Sequence, residues 1–281
     1  MPGISQVPAD ETVDRIRALA ARGLSQFLLF GVTDPAKKDP SGSHAAMAEA
    51  PVNRVLSQVR HAGLDVVLYA DLCLCEYTSH GHCGILDKPD GPWVVDNDRT
   101  LEQMATVAVA QAKAGADVVA PSAMMDGQVA AVRSALDAAG FTHVAILSYA
   151  IKYASSLYGP FREAAEGGMK FGDRRGYQMD YRRRREWRSE LEADLDEGAD
   201  MVIVKPAVAC LDILQQVREA CSVPVAAYHV SGEYAMLHAA ARMGWLDLKA
   251  TALEHSFAIR RAGADLIITY FAPQLLEWLE H

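Results

Sequence analysis

An α/β fold with a parallel sheet is what this sequence predicts, and three observations lead to it. Short apolar runs alternate with amphipathic segments along the whole chain. Most of these runs follow a glycine placed just after a helix-like stretch, where a left-handed residue ends the helix. The length of 281 residues suits one α/β barrel of about 250 residues. This alternation means a parallel sheet, either open and doubly wound or closed as a (β/α)8 barrel.

Seven apolar runs are predicted to be strands buried on both faces. They are residues 26–30, 65–69, 117–119, 143–147, 200–204, 223–230 and 265–270. The run at 223–230 lacks the preceding glycine but follows a helical stretch. A closed barrel needs eight strands, so the count is one short.

The segments between the runs are predicted to be helices. Val13, Ile16 and Leu19 fall on one helical face after Asp10, which is a candidate N-cap. Further helices are predicted at residues 101–114, 127–139 and 211–221. No glycine-rich phosphate-binding motif follows an early strand, so a dinucleotide or nucleoside triphosphate fold is disfavoured. Two long loops, 32–50 and 158–181, would lie on the active face of a barrel.

Composition excludes several classes of function. The formal net charge of −9 argues against a nucleic-acid or anionic-membrane surface. No stretch approaches the roughly 20 apolar residues of a membrane span, and the first residues do not resemble a signal peptide, so we expect a cytoplasmic protein. The arginine run 182–185 with Arg188 could be a nucleic-acid patch, but in an acidic chain a solvated helix face or a subunit contact is the better interpretation.

Three of the five cysteines form a candidate metal site. Cys73 and Cys75 end a predicted strand, where side chains two residues apart point the same way. Cys83, in the glycine-containing loop that follows, can complete a set of three thiolates. Three protein ligands leave a fourth position open, which is the catalytic arrangement of zinc. Buried apolar cysteines are the alternative, and it is the interpretation we favour for Cys210 and Cys221.

Two lysines end apolar strands. Lys152 and Lys205 each follow a run of buried residue types, although burying an ammonium group is costly. A lysine in an apolar pocket near another cation has a lowered pKa, so its free amine can form a Schiff base with a carbonyl. One such lysine could equally be half of a salt bridge, whereas two on successive strands favour carbonyl chemistry.

Over its whole length the chain resembles the porphobilinogen synthase (5-aminolevulinate dehydratase) family. The matching motifs are residues 71–84, 152–155, 158–162, 171–175, 204–206, 228–234, 268–270 and 273–274. The resemblance implies one TIM-barrel, (β/α)8 catalytic domain over residues 1–281. It also implies the family reaction, in which two 5-aminolevulinate molecules form a pyrrole with loss of two waters.

The resemblance assigns roles residue by residue. Lys205 would hold the first substrate as a Schiff base, and Lys152 would bind the second at its ketone, beside zinc on the three cysteines. Asp71 is a candidate for proton transfer, with a structural hydrogen-bonding role as the alternative. The positions that match carboxylate-binding and other substrate-binding residues of the family are Arg162, Arg174 and Gln178 for the second substrate, Ser231 and Tyr270 for the first, and Tyr158.

Two further expectations concern magnesium and assembly. Glu190 lies where magnesium-activated members of the family carry an allosteric acid, so Mg²⁺ is a second candidate ion, and a solvated helix glutamate is the better alternative. We expect a homo-oligomer, not necessarily the family octamer, that takes a small-molecule substrate and binds neither nucleic acid nor membrane.

The chain departs from the family pattern at three places. Residues 207–210 read Ala-Val-Ala-Cys where the family has Gly-Met-Pro-Tyr. Ala123 and Gln128 replace an aspartate and an arginine. The family also carries an N-terminal arm and an apolar strand before the residues that match Met1. Either the start lies further upstream, or the chain lacks this strand and arm.

Three functions therefore remain as alternatives. The first is a zinc-dependent porphobilinogen synthase, supported by both lysines and all three thiols. The second is a paralogue that condenses or cyclises another aminoketone, supported by the altered 207–210 loop. The third is a non-catalytic barrel that binds metal or a partner.

Overall fold

The computed structural model describes residues 1–88 and 93–279, in which seven parallel strands form one sheet curved into a nearly closed barrel. The strands are β1 Gln26–Leu29, β2 Val67–Leu72, β3 Val118–Pro121, β4 Ala145–Lys152, β5 Met201–Lys205, β6 Val225–His229 and β7 Leu266–Thr269. Each strand pairs in parallel with the next along the chain. An open, doubly wound sheet would reverse its strand order at a switch point, so that alternative is wrong and the barrel prediction is confirmed.

Helices connect the strands and cover the outside of the sheet. In the described residues they are α1 Ala9–Ala20, α2 Pro51–His61, α3 Asn97–Ala114, α4 Gln128–Ala138, α5 Gly159–Ala164, α6 Glu186–Asp196, α7 Leu211–Ala220, α8 Ser231–Arg242, α9 Leu248–Arg261 and α10 Ala272–Leu279. The four predicted helices correspond to α1, α3, α4 and α7. Among these residues no helix has the length and apolarity that crossing a bilayer requires.

Helix α1 does not begin as the sequence suggests. Asp10 lies in its first turn, and Pro8 occupies the N-cap position without a capping hydrogen bond. The Asp10 carboxylate instead accepts a hydrogen bond from Arg54 of α2 at 2.6 Å. The N-cap prediction is therefore wrong, because an ion pair with the neighbouring helix uses the side chain that would have capped α1.

The glycine that precedes most of the apolar runs, together with the residues that follow it, has a structural role at the amino ends of the strands. Before β3, β5 and β7, an aspartate stands two residues after the glycine and accepts a backbone N–H from the first or second residue of the preceding strand. The bonds run from Leu68 to Asp117, from Ile146 to Asp200 and from Val225 to Asp265, at 2.7, 2.8 and 2.9 Å. Each aspartate thus fastens two strands together, and the pairs are β2 with β3, β4 with β5 and β6 with β7.

The glycines of this phrase are required for two reasons. Gly115 and Gly263 have φ angles of 107° and 112°, which L side chains rarely adopt. A Cβ at either position would also lie 2.6 Å from the Cγ of an arginine, Arg60 for Gly115 and Arg218 for Gly263. Because each arginine pairs with the aspartate that follows its glycine, helix, glycine and strand start form one packed unit.

Alternate residues of the strands face two different layers. One set, which includes Leu68, Val119 and Val202, packs with the helices in the larger core. The other set includes Tyr69, Tyr149 and Tyr228 and fills the barrel interior together with residues of neighbouring strands. Strands β2 to β6 are almost fully buried, whereas the residues of β1 and β7 are only partly buried. An apolar slot of about 470 Å³ lies between these two edge strands.

Candidate active site

The two strand-end lysines lie side by side. Lys152 ends β4, Lys205 ends β5, and the two are register partners in the parallel pair. Both side chains are buried. At the carboxyl ends of barrel strands, buried charged groups are the usual site of catalysis. The structure therefore brings together two residues that lie 53 positions apart in the sequence.

An irregularity in β4 aims Lys152 at this site. Between Ser148 and Ile151, β4 advances three residues while β5 advances two, so β4 contains a bulge. Tyr149 belongs to the interior cluster, but both Ala150 and Ile151 belong to the outer core. In a regular strand Lys152 and Tyr149, three apart, would face opposite sides. The extra residue returns Lys152 to the interior, where its ammonium lies 5.4 Å from the centre of the Tyr149 ring.

Lys205 is enclosed by aromatic rings. Its Nζ lies 4.3 Å from the centre of the Tyr228 ring, 4.9 Å from that of Tyr158 and 5.8 Å from that of Phe161. Burial and the neighbouring charge of Lys152, opposed by Asp71, together lower the pKa of Lys205 to about 7. Near neutral pH a substantial fraction of this amine is therefore unprotonated and nucleophilic.

The surroundings of Lys152 are more polar. Its Nζ donates a hydrogen bond to the backbone carbonyl oxygen of Ser122, at the end of β3. Asp71, on β2, is also buried, and its Oδ1 has no hydrogen-bond partner among the described residues. Burial and the nearby Glu76, opposed by the two lysines, together raise the pKa of Asp71 to about 7.

The three predicted thiols form one cluster. The Sγ atoms of Cys73, Cys75 and Cys83 are buried and lie within 4.8 Å of one another. The Sγ atoms of Cys73 and Cys75 are 3.3 Å apart. Hydrogen bonds from Cys73 and Cys75 lower the pKa of the Cys83 thiol well below its usual value. Three sulfur donors in contact fit a soft or borderline divalent metal such as zinc, with one position left for water or substrate.

A cavity of about 770 Å³, rich in arginine, is lined by Tyr153 and Pro206, the residues that directly follow the two lysines. Arg162 and Arg174 line it, and their Nε atoms are buried without a partner among the described residues. Both amide atoms of Gln178 are unsatisfied in the same way. Burial and the nearby charge of Arg174 lower the pKa of Arg162. A bound carboxylate would relieve both effects, because it supplies charge and hydrogen-bond acceptors.

The residues predicted for the first substrate lie near the aromatic rings that surround Lys205. Tyr270 follows β7, and its ring centre is 6.5 Å from that of Tyr228. Ser231 is buried at the start of α8, where its Oγ donates to the carbonyl oxygen of Leu157 and accepts from the N–H of Phe161, both at 3.1 Å. The Tyr158 hydroxyl donates to the carbonyl oxygen of Tyr153 at 2.7 Å. Ser231 and Tyr158 therefore stabilise the segments that surround Lys205.

Glu190 lies in a different cavity. On α6, it lines a space of about 640 Å³ together with Asp126 and Glu186. Burial raises the pKa of Glu190, and Asp126 and Glu186 raise it further. Glu190 is thus half-buried among acids rather than fully solvated, and its assignment to magnesium stays a prediction.

The remaining sequence features take structural positions. The arginines at 182–185 precede α6 instead of lying on a helix face. Arg182 pairs with Asp180, and Arg183 pairs with Glu186, so neighbouring acids already partner two of the four. Cys210 is buried in the core as expected and borders the arginine-rich cavity, whereas Cys221 is only partly buried.

The two other substituted positions lie just after β3 and at the start of α4. Ala123 is fully buried, and the Gln128 Oε1 accepts the N–H of Met125 at 3.2 Å at the start of α4. Neither Ala123 nor Gln128 places a charged group in the barrel.

The sequence interpretation missed Tyr149, Tyr228 and Glu233. The two tyrosines interrupt aliphatic strand interiors shortly before the strand ends, and that position is the signal that could have revealed them. Glu233 is a carboxylate in an otherwise buried helix start, which is unusual for this residue type.

Together these groups can perform amine and carbonyl chemistry on an anionic substrate. One lysine has a pKa near neutrality, a second lies beside it, and unsatisfied guanidinium and amide groups face the adjoining cavity. The Asp71 carboxyl group and the cluster of three thiols complete the candidate site.

Comparisons with known proteins agree with this geometry. A family model described as delta-aminolevulinic acid dehydratase matches residues 1–278. The protein of that name from Halalkalibacterium halodurans is 48% identical over 279 residues, which cover 99% of this chain and 83% of the relative. Its counterpart from Synechocystis is 49% identical over 280 residues, which cover 100% of this chain and 85% of the relative.

A solved structure is equally similar. The crystal structure of delta-aminolevulinic acid dehydratase (porphobilinogen synthase) from Toxoplasma gondii, in complex with the reaction product porphobilinogen, superposes with a TM-score of 0.96 at 43% identity. The match covers 99% of this chain and 79% of that chain.

Proposed function

The chain belongs to the delta-aminolevulinic acid dehydratase family, and from this premise we propose that it joins two 5-aminolevulinate molecules into porphobilinogen through lysine Schiff bases and a zinc site. It is a hydro-lyase of the porphobilinogen synthase type. The reaction balances as two molecules of 5-aminolevulinate giving one porphobilinogen and two waters. The non-catalytic alternative is set aside because the whole chain matches named enzymes.

The pairing of Lys152 with Lys205 carries this proposal. Each amine can attack a substrate ketone, and each Schiff base that forms releases one water. Lys205, whose pKa is about 7, is suited to take the first substrate because its amine loses a proton near neutral pH. Its aromatic walls exclude water and leave room for an uncharged imine.

Lys152 takes the second substrate in the more polar region. Its contact with the Ser122 carbonyl oxygen holds the amine next to the first lysine. Cys73, Cys75 and Cys83 would hold the zinc ion, which when bound polarises a carbonyl oxygen as a Lewis acid. Asp71, buried beside both lysines, is our candidate to carry protons between the reacting groups.

The two substrate carboxylates have separate partners in this proposal. Arg162, Arg174 and Gln178 bind the second carboxylate, supported by the unsatisfied atoms that face the cavity. Tyr270 and Ser231 bind the first. Tyr158 packs against Lys205 and completes the wall between the two positions.

A direct assay tests the function. The zinc-loaded protein is incubated with 5-aminolevulinate, and porphobilinogen is identified by its mass. Borohydride is added to a parallel sample, and labelled peptides are located by mass spectrometry. We expect product, with label on Lys205 and Lys152 and none on Lys249, an exposed control lysine. Absence of product from correctly folded, zinc-loaded protein would contradict the proposal.

One observation favours the second candidate, an enzyme of the same chemistry with another aminoketone. Ala209 and Cys210, in the loop that departs from the family, line the arginine-rich cavity, so this loop can alter the space for the second substrate. Offering other aminoketones in competition with 5-aminolevulinate separates the two. If one of them displaces 5-aminolevulinate at equal concentration and gives its own condensed product, the second candidate replaces the first.

We also infer a cytoplasmic homo-oligomer. The net charge of −9 supports a freely diffusing protein, and partly buried edge strands support further contacts between copies. Light scattering of the purified protein measures its assembly state, and a monomer at micromolar concentration would contradict this inference.

A further inference from the structure

The first turn of α8 connects three loops that surround Lys205. Ser231, Gly232 and Glu233 are consecutive, and all three are buried. Ser231 and Gly232 contact the segment after β4, and Glu233 contacts the loop after β5. Of the three, Glu233 makes the most extensive connections.

Glu233 accepts backbone N–H groups from two loops at once. Its Oε1 accepts from Val208 at 2.8 Å and from Ala209 at 3.3 Å, in the loop after Lys205. Its Oε2 accepts from Val230 at 2.8 Å, in the turn after β6. The residue is 1% exposed, so these amides replace water around the carboxylate.

The chain offers no local substitute for this carboxylate. Val208 and Ala209 open the short helical turn that leads into α7, where the first N–H groups need acceptors. In the described part of the chain, neither this turn nor α7 has a side-chain cap of its own. Glu233 supplies the cap from another helix, and it therefore fixes the segment that immediately follows Lys205.

The neighbouring residues extend the connection to the third loop. A Cβ at Gly232 would lie 2.5 Å from the Leu157 carbonyl oxygen, so only glycine allows this approach. The Ser231 hydroxyl bonds to Leu157 and Phe161, and the Phe161 ring is part of the wall around Lys205. The first turn of α8 thus joins the walls contributed by β4, β5 and β6.

We propose that Glu233 is a positioning residue for Schiff-base formation at Lys205, acting through the 207–209 loop and the turn at Val230. This inference rests on the proposed function. It requires a carboxylate, because both oxygens accept N–H groups. An amide in its place turns an NH₂ group towards at least one backbone donor, so one of the two loops must move.

The test compares Glu233→Gln with Asp265→Asn. Asp265 also accepts a backbone N–H of β6, from Val225 at 2.9 Å, but at the opposite end of the strand, so it is the matched control. Both zinc-loaded proteins are treated with 5-aminolevulinate and borohydride. The readout is the ratio of label on Lys205 to label on Lys152. Both lysines belong to the same molecule, so this ratio is independent of how much protein is folded.

We expect the ratio to fall at least about tenfold in Glu233→Gln, because one buried hydrogen bond to a charged group is worth about that factor. In Asp265→Asn the ratio should stay within about twofold of the parent. Glu233→Asp, which keeps the charge but is shorter, should give an intermediate ratio. An unchanged ratio in Glu233→Gln would overturn the proposal, and so would an equal fall in the control.

Hydrogen exchange separates this inference from the proposed function, because it needs no substrate. The peptides that contain Val208, Ala209 and Val230 should exchange at least about tenfold faster in Glu233→Gln than in the parent, with no change in Asp265→Asn. If the parent fails to label with 5-aminolevulinate, the proposed function falls. If exchange in Glu233→Gln matches the parent, the positioning role falls.

Discussion

The surroundings of the two neighbouring lysines differ in kind. Lys205 is packed against the rings of Tyr228, Tyr158 and Phe161, whereas Lys152 contacts a backbone carbonyl oxygen and lies near the thiol cluster. Adjacent strands of one barrel thus provide an apolar chamber and a polar one. The same side chain can therefore have different reactivity at two neighbouring positions, because its surroundings set the pKa of the amine. Apolar surroundings disfavour the charged form and lower that pKa.

The largest expected effect comes from removing the lysine of the apolar chamber. Lys205→Met should lower porphobilinogen formation about 10⁶-fold, as loss of the nucleophile does in a serine protease. It should also stabilise the fold by about 1–4 kcal/mol, because a buried charge is replaced by an apolar side chain of similar size. Pyrrole formation and urea unfolding measure the two effects.

The sign of the stability change follows from the pKa of Lys205. The folded protein lowers it from 10.5 to about 7, so protonation opposes folding. The gain in Lys205→Met is therefore full below pH 7 and declines towards pH 10.5. Lys249→Met, at an exposed position, should change neither quantity. A Lys205→Met protein that is less stable than the parent below pH 7 would contradict the buried position of the amine.

A smaller effect is expected from the thiol cluster of the polar chamber. Cys83→Ser removes a metal ligand. Because losing only a hydrogen-bond partner of a metal ligand already costs roughly 10–100-fold in metal affinity, this variant should weaken zinc binding by more than that. Turnover should fall as zinc is lost. Borohydride labelling of Lys205 should persist, because this lysine lies in the other chamber. Zinc content and peptide labelling measure the two effects. Cys221→Ser is the control, and equal zinc content in the two variants would refute the three-thiol site.

The arginine-rich cavity should affect binding more than chemistry. Arg174→Lys should raise KM about 10–100-fold, since it removes charge-assisted hydrogen bonds worth about 1.5–3 kcal/mol, while kcat changes less. Steady-state kinetics give both constants. Arg184→Lys, in the loop at the cavity mouth, should leave KM within about threefold of the parent. A KM for Arg174→Lys equal to that of Arg184→Lys would remove the second-carboxylate assignment.

The mildest test varies pH. The Lys205 amine reacts only when unprotonated, so its labelling rate should rise about tenfold per pH unit below pH 7 and level off above it. Because Lys152 contributes to the lowered pKa of Lys205, Lys152→Met should move the midpoint to higher pH. Initial labelling rates across pH measure both. A midpoint that stays fixed in Lys152→Met would show that the two chambers do not interact electrostatically.

Much of the fold and site could be predicted from sequence. The seven apolar runs all correspond to strands, because an apolar run after a helical stretch, in six cases after a helix-ending glycine, is a local signal. The three cysteines were grouped correctly, since they lie within eleven residues of one another. Glu233 could not be found in this way, because its partners Val208 and Ala209 are 25 and 24 residues away.

The sequence by itself determined the parallel α/β order, the thiol cluster and the identity of the two lysines, because each depends on residues close together in the chain or on a strand end. The tertiary structure decided that both lysine side chains face the barrel interior, each with its Nζ near the Tyr149 ring. This depends on one extra residue between Ser148 and Ile151 in the pairing of β4 with β5, and the side-chain direction along a strand reverses with every residue. Only the neighbouring strand reveals where that reversal is interrupted.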